Sequence, residues 1–460
     1  MTDHTDNALS TLGLREYLAA LEGKPASQYQ VIDKPISPDW MTTAVVTGLA
    51  KKLRSPVIRF EQVDGSPYPM VTNVCASLDR VAKSIGLTVD QLNQRFVDAA
   101  AANIHGVVVP GDVAPIAQCS DRFKTFSLRQ LPQLKYSHTQ TEPYITSAIV
   151  VGRDPDSGAH NLSFHRLMIM DDQRAAIYMT PNGHLDQIWQ KYSALGKPTP
   201  LAAVIGTHPL WCYAALIAGP LEHEDYDVVS GVLDAPLALT SSTIDAELLV
   251  PAYAEMILEG HIQPSETASE GPFGEFLGYV ADKAERPVIE FTQVRHREAP
   301  IYQDIVAGQV EHLTMSSISL RARLHRDYFR DNPAVVEFFL PAAMTIFLKI
   351  DQTLQPGFDA QAMMDRLLEN EAYLKQAYCF DADIDVRKQA SVQTAIACFA
   401  QPAADVRIFE NQDGNGVDPS ETDGRTSKIS VDARSKVPPT RSELPDAVMA
   451  SFDLNEWIRK

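Results

Sequence analysis

The chain has 460 residues, 45% of them hydrophobic and 22% charged, with a formal net charge of −19. That length suffices for two or three domains with large cores, and so acidic a chain is a poor partner for nucleic acid or an anionic membrane. Five scattered cysteines without a CxxC pair, a polar start (MTDHTDNALS) and no apolar run near the roughly 18 residues of a membrane span point to a cytoplasmic protein with free thiols.

In chain order, Ser10 is placed to cap a helix carrying Leu14, Leu18 and Leu21 on one side. Residues 39–53 read as a second helix, 56–60 as a strand and 88–102 as a third helix. Residues 1–110 are therefore expected to form a small α/β unit. From 111 to 305 the texture is richer in strands, with β-like runs at 145–151, 161–170, 175–179 and 287–294. A helix over 184–195 interrupts them, with Leu185, Ile188, Trp189 and Tyr192 at helical spacing and Gly196 past its end. This middle region predicts a β-barrel or sandwich with inserted helices. A long helix is expected within a linking segment, 306–335, and a second α/β domain over 336–440, with helices at 359–374 and 388–399 and strands at 343–350 and 378–380. Residues 411–427 are polar and read as an exposed loop. The tail, 441–460, has the pattern of a helix that packs on another subunit.

Glu270 and Glu275 are separated by Gly271-Pro272-Phe273-Gly274. Proline fixes one backbone angle and the glycines reach conformations closed to other residues, so the segment is a rigid turn able to aim two acids at one point. Two acids close together in a partly dry site repel, and one then keeps its proton near neutral pH while the other is ionised. That is proton-transfer equipment, although a surface loop with two solvated acids has the same sequence. Arg166 lies among Leu162, Phe164, Leu167 and Ile169, where an edge or surface arginine is the plain alternative. Asn161 and His184 are equally suited to capping or surface roles. In an ideal strand, positions 161 and 166 face opposite sides, so a bulge or bend is expected between them.

Four features occur together in order: Pro143-Tyr144-Ile145-Thr146 with the run from Asp154 to Leu167; His184; Val250-Pro251-Ala252 with Glu255, Glu259-Gly260 and the 270–275 turn; and Asp381-Ala382-Asp383 with Val417-Asp418-Pro419 and the run from Lys428 to Ala433. Over about residues 100–435 they resemble the UbiD family of decarboxylases, which use prenylated flavin mononucleotide (FMN). The resemblance implies an α/β (α+β) architecture, with a central split β-barrel that binds flavin. It also implies an N-terminal α/β unit and a C-terminal α/β domain through which homodimers or larger homo-oligomers form. It implies reversible, non-oxidative decarboxylation of an aromatic, heteroaromatic or α,β-unsaturated acid. Loss of CO2 from an sp2 carbon needs an electron sink that no side chain provides.

Arg166 matches the family's catalytic arginine, Glu270 its acidic partner, and Glu275 the proton donor, at which some members carry Asp. Asn161, Ser163, Arg166, His184 and Lys375 are implied at the cofactor, Lys375 at its phosphate. Asn161 and His184 match two ligands of a Mn2+ or Mg2+ ion accompanied by K+. The third ligand is Glu224 or Asp225, in a stretch one residue off the family spacing. A flavin prenyltransferase is the implied supplier of the cofactor. His165, Trp211 and Cys212 are read as packing residues, and residues 309–320, with parts of the C-terminal domain, as shaping the substrate pocket. Two rivals stand beside this reading. A flavin oxidoreductase using unmodified FMN has no use for paired acids beside an arginine. A non-catalytic subunit of a multi-subunit decarboxylase would tend to have lost Arg166, Glu270 or Glu275.

Overall fold

Several helices begin where the sequence supplies a cap. Thr88 accepts from the Gln91 backbone N–H at 3.2 Å while the Gln91 side chain accepts from the Thr88 N–H at 2.9 Å, and helix Val89–Asp98 follows. The computed structural model describes residues 11–436 apart from 53, 100–103, 123–124, 218, 276 and 416–417. Ser10 and the tail 441–460 lie outside the described residues. The first helix, Leu14–Ala19, starts after Gly13, whose N–H is held by Glu16 at 2.9 Å.

The chain forms two compact units, residues 1–327 and 328–460. The first is organised around a nine-stranded, curled half-barrel sheet. Eight strands run in the spatial order Tyr144–Ile145, Leu167–Ile169, Arg174–Ile177, Ala284–His296, Met256–Glu270, Thr199–Ile205, Ile149–Arg153 and His160–Phe164; the ninth, Cys119–Arg122, pairs with Ala284–His296. All its ladders are antiparallel. Both faces are covered. Ile149, Val151, Ala202 and Val204 join one apolar cluster, and Val150, Leu201, Ala203 and Ile205 join the other. A strand buried on both faces is a continuous apolar run rather than an alternating one, which is why Thr199–Ile205 carries no period-two signal.

The strand expected over 287–294 is part of a longer one, Ala284–His296 of 13 residues, which forms a hairpin with the 15-residue strand Met256–Glu270. Its register shifts at Glu259/Gly260, where an ideal Cβ on Gly260 would overlap the Glu290 carbonyl oxygen. A smaller sheet in the same unit pairs Tyr29–Ile32, Val57–Phe60, Met70–Thr72 and Tyr302–Gln303, so the end of the barrel segment completes the N-terminal sheet. Helix Val310–Leu324 follows and continues as a single π turn, His325–Phe329.

The second unit is a five-stranded mixed sheet in the order Val335–Ala342, Thr345–Ile350, Gln376–Asp381, Arg425–Asp432, Val406–Asp413. Helix Ala360–Asn370 is capped by Asp359, which accepts from the Ala362 N–H at 3.0 Å. At its other end the buried Lys428 ammonium donates to the Leu368 and Glu371 carbonyls at 2.7 and 2.9 Å. The expected loop over 411–427 is corrected here: residues 411–413 and 425–427 belong to paired strands. Val406–Asp413 is an edge strand in which every described residue is at least partly exposed, so polar side chains are tolerated there and the composition mimics a loop. Among the described residues no helix is long and apolar enough to cross a membrane.

Candidate active site

Strand His160–Phe164 stops two residues short of strand Leu167–Ile169, and His165 and Arg166 form the break between them. This is the bend expected between Asn161 and Arg166, and it turns Arg166 toward the end of the long hairpin. Glu270 is the last residue of strand Met256–Glu270 and is fully buried, with 0% exposure. Arg166 Nε and Nη2 donate to Glu270 Oε1 and Oε2 at 2.9 and 3.0 Å, a bidentate fork. The remaining nitrogen, Nη1, donates to Glu275 Oε1. Arg166 and the two acids, 104 and 109 positions apart, thus meet in one cluster.

The guanidinium lies over two rings, 4.5 Å from the centroid of Tyr178 and 4.7 Å from that of Phe273. Burial by itself would lower the Arg166 pKa, but hydrogen bonds and charge from Glu270 and Glu275 outweigh it and raise it above the ordinary value. Arg166 is therefore a permanent cation. Glu275 is 20% exposed. It opens a short turn in which its N–H donates to the Tyr279 carbonyl at 2.7 Å and its carbonyl accepts from Gly278 at 2.9 Å. Gly278 has φ +83, which the turn requires.

Arg166, Phe273 and Glu275 form part of the wall of a cavity of about 190 Å³. His165, His312 and Met315 also line it, the last two from helix Val310–Leu324, within the segment expected to shape the pocket. His165 is a correction. It faces the cavity rather than only packing, whereas Trp211 and Cys212 are core residues. Its ring is fixed by Ser163 Oγ at Nε2 and the Tyr178 carbonyl at Nδ1, both 2.8 Å away. Burial depresses the pKa of His165 to about 4, against the Tyr178 carbonyl, and burial also takes His312 to about 4. Both are neutral near pH 7.

A second polar cluster sits on strand His160–Phe164. Asn161 Nδ2 donates to Asp225 Oδ2 at 3.0 Å and lies 3.3 Å from His184 Nδ1. Ser163 Oγ lies 3.1 Å from Asn161 Oδ1. Asp225 Oδ2 also accepts from the Leu162 N–H at 2.8 Å, and burial raises its pKa to about 7 despite that bond. Burial lowers the pKa of His184, opposed by Glu222. Glu224 points elsewhere: its Oε2 lies 2.9 Å from His160 Nδ1 and its Oε1 accepts from the Tyr226 N–H at 3.3 Å as a helix cap. Among the described residues no group of three or more His, Cys, Asp or Glu side chains is arranged to hold a metal; the Asn161–His184–Asp225 set is instead an amide, an imidazole and a carboxylate. Lys375 belongs to the second unit, where its ammonium is 2.7 Å from Asp418 Oδ2 and 2.5 Å from Ser420 Oγ.

The sequence reading assigned no role to Tyr144, Phe273 or Tyr178. Tyr144 and Phe273 stand inside the 143–146 and 270–275 motifs, but their orientation depends on contacts more than a hundred positions away.

Models of the three UbiD domains (3-octaprenyl-4-hydroxybenzoate carboxy-lyase) match the chain: the N-terminal domain over residues 24–100, the Rift-related domain over 108–310 and the C-terminal domain over 314–433. The chain is 28% identical to a phenolic acid decarboxylase of Sedimentibacter hydroxybenzoicus, covering 97% of this chain and 96% of that one. It is 27% identical to an anhydromevalonate phosphate decarboxylase of Methanothermobacter thermautotrophicus, covering 80% and 86%. Its fold is similar to that of the UbiD-class enzyme HmfF from Pelotomaculum thermopropionicum in complex with FMN, with a TM-score of 0.89, 29% identity and coverage of 97% and 100%. With all three domains matched, in order and over most of its length, the chain belongs to the UbiD family of carboxy-lyases.

Proposed function

We propose that this chain catalyses reversible, non-oxidative decarboxylation of an aromatic, heteroaromatic or α,β-unsaturated acid with prenylated FMN as its cofactor. The observation that carries the reading is the Arg166 guanidinium shared between Glu270 and Glu275 at the wall of a cavity with aromatic sides. An evolved dimeric form of HmfF is a complex with prenylated FMN, and the Sedimentibacter relative is named for phenolic acids; both support the choice of cofactor and substrate class.

Bound at this cavity, prenylated FMN would supply the electron sink that the carbon losing CO2 requires. Asn161, Ser163, Arg166 and His184 would hold it. By donor chemistry an amide oxygen, an imidazole and a carboxylate, from Asn161, His184 and Asp225, suit a hard divalent ion, Mn2+ or Mg2+; the Asn161 amide nitrogen lies 3.3 Å from His184 Nδ1 and 3.0 Å from Asp225 Oδ2, so a turn of that amide would bring its oxygen to the ion. K+ would accompany it. Glu224 is already committed to His160 and a helix cap, which favours Asp225 as the third ligand.

The chain's own groups divide the remaining work. Arg166, held as a cation by Glu270, receives the substrate carboxylate. Phe273, Leu216 and Met315 give a flat unsaturated group an apolar wall and keep water from it. Glu275, in a short turn and only partly buried, gives up its bond to Arg166, takes a proton from solvent and delivers it to the carbon that CO2 leaves. The domain division at 110, 305, 335 and 440, a cytoplasmic location, assembly through the C-terminal domain, and supply of cofactor by a flavin prenyltransferase belong to the same reading.

The test is protein produced beside a flavin prenyltransferase and screened for CO2 release and substrate hydrogen exchange with phenolic, heteroaromatic and cinnamic-type acids. Glu275→Gln should lose turnover by at least about a hundredfold while retaining bound flavin by mass spectrometry. Full activity in that variant refutes the proton-donor role. Redox turnover with plain FMN and a nicotinamide donor, without exchange on any acid, refutes the whole reading.

A further inference from the structure

Glu270 has 0% exposure and meets one further donor besides Arg166. Tyr144 OH lies 2.9 Å from Glu270 Oε1, and the Gly271 backbone N–H lies 3.1 Å from the same phenol oxygen. The direction of both bonds follows. A backbone N–H can only donate, so the phenol oxygen accepts from Gly271 and its own proton points at Glu270. Glu270 then accepts three hydrogen bonds, one from the phenol and two from the guanidinium, the arrangement of an ionised carboxylate.

Tyr144 is brought there by the sheet. Its short strand, Tyr144–Ile145, pairs with Leu167 and Met168, directly after Arg166, so the phenol approaches Glu270 from the strand beside the one that Arg166 precedes. The ring is itself fully buried and packs on Phe273 at 4.6 Å, the same ring that underlies Arg166. Burial and the neighbouring carboxylate push its phenol pKa upward, so it keeps its proton.

We infer that Tyr144 is a positioning residue for the decarboxylation proposed above: it ties the Glu270 side chain to its own backbone at Gly271, holds it as an anion, and so aims Arg166. The inference rests on that functional reading for its catalytic meaning, but the hydrogen-bonding role stands by itself. The charged and titratable groups facing Glu270 are Arg166 and Tyr144, with Glu275 across the guanidinium. Tyr178, beneath the same guanidinium, carries Arg286 over its ring at 4.6 Å. Ala284, the cross-strand partner of Glu270, contributes no charge.

Tyr144→Phe preserves the ring and its packing but removes one donor from Glu270 and the acceptor of the Gly271 N–H. In cofactor-loaded protein kcat should fall about tenfold at neutral pH, and the acid limb of kcat/KM should move up by about one pH unit. Replacing residue 144 with 3,5-difluorotyrosine, a stronger donor, should move the limb the other way, an opposite sign that altered packing does not produce. In cofactor-free protein labelled at the glutamate carboxyl carbons, the Glu270 signal, assigned with Glu270→Gln, should begin to protonate at higher pH in Tyr144→Phe than in the parent. Superimposable carboxyl titrations of parent and variant overturn the inference, as do unchanged limbs in both 144 variants. A shifted carboxyl titration in protein that decarboxylates none of the acids leaves Tyr144 assigned and removes the functional reading instead.

Discussion

At the scale of single residues, adjacent acids divide their labour by where their side chains point. Glu224 and Asp225 are neighbours, yet one pairs with His160 and caps a helix while the other meets Asn161, which itself lies beside His184. The expected consequence is a contrast in metal content. Asp225→Asn should lose bound divalent ion by about tenfold or more in affinity, whereas Glu224→Gln, which removes only a contact to His160, should retain it. Metal analysis of the two purified variants by mass spectrometry decides this, and equal retention removes Asp225 from the ligand set. The spacing of the motif left these two acids equivalent because consecutive residues at a helix start differ only in the direction of their side chains. By contrast, Arg166, Glu270 and Glu275 could be read as chemical groups from their motifs alone.

At the scale of elements, the barrel hairpin holds the site. Strand Met256–Glu270 ends on Glu270, so any slip of its pairing with Ala284–His296 displaces the carboxylate that anchors Arg166. Gly260 marks one of the two irregular points of that ladder, and an added Cβ would also lie 2.7 Å from the Phe291 Cα. Both obstacles are backbone atoms, which cannot rotate aside. Gly260→Ala should therefore cost about 3 kcal/mol in unfolding free energy by urea denaturation, and unchanged stability would show that the ladder tolerates slippage there. Several helices and strands were legible from local signals: the helical stretch from Thr88, the apolar spacing after His184 and the run near 145–151 all correspond to observed elements. Thr199–Ile205 and Val406–Asp413 were not. The first is apolar on both faces and the second polar at an edge, so neither shows the half-buried alternation by which strands are recognised.

At the scale of the whole molecule, buried ionisable groups couple stability to pH. Burial raises the Glu311 pKa from 4.5 to about 8, although its carboxyl accepts from the Cys75 and Asn73 N–H groups at 2.7 and 2.8 Å. The folded protein then keeps a proton that the unfolded chain releases, so this contribution is complete below pH 4.5 and is lost as the pH rises to about 8. Buried His165 and His312 (each near 4) and His208 (near 3) act with the opposite sign, but only below their ordinary value of 6.5. Asp225, raised to about 7, adds to the Glu311 trend up to that pH. Between pH 6.5 and 8, Glu311 should lower the unfolding free energy by up to about 1.4 kcal/mol per pH unit. Glu311→Gln should flatten that decline. Urea unfolding followed by tryptophan fluorescence suits the comparison, because three of the four tryptophans, Trp40, Trp189 and Trp211, belong to the first 327 residues. Identical slopes in parent and variant would show that Glu311 is already ionised in the folded state.

The amino-acid order by itself determined the chemical inventory: a guanidinium, two carboxylates flanking a Gly-Pro turn, an amide and an imidazole in a recognisable succession, and the helices that carry their own caps. These are local properties, written in residue type and spacing over a few turns of chain. Only the tertiary structure decided that Tyr144 reaches Glu270 across 126 positions, that Asp225 rather than Glu224 meets Asn161, and that His165 faces a cavity. The reason is geometric. Antiparallel pairing sets which side chains become neighbours, and the bends and register shifts that fix that pairing depend on contacts between distant strands.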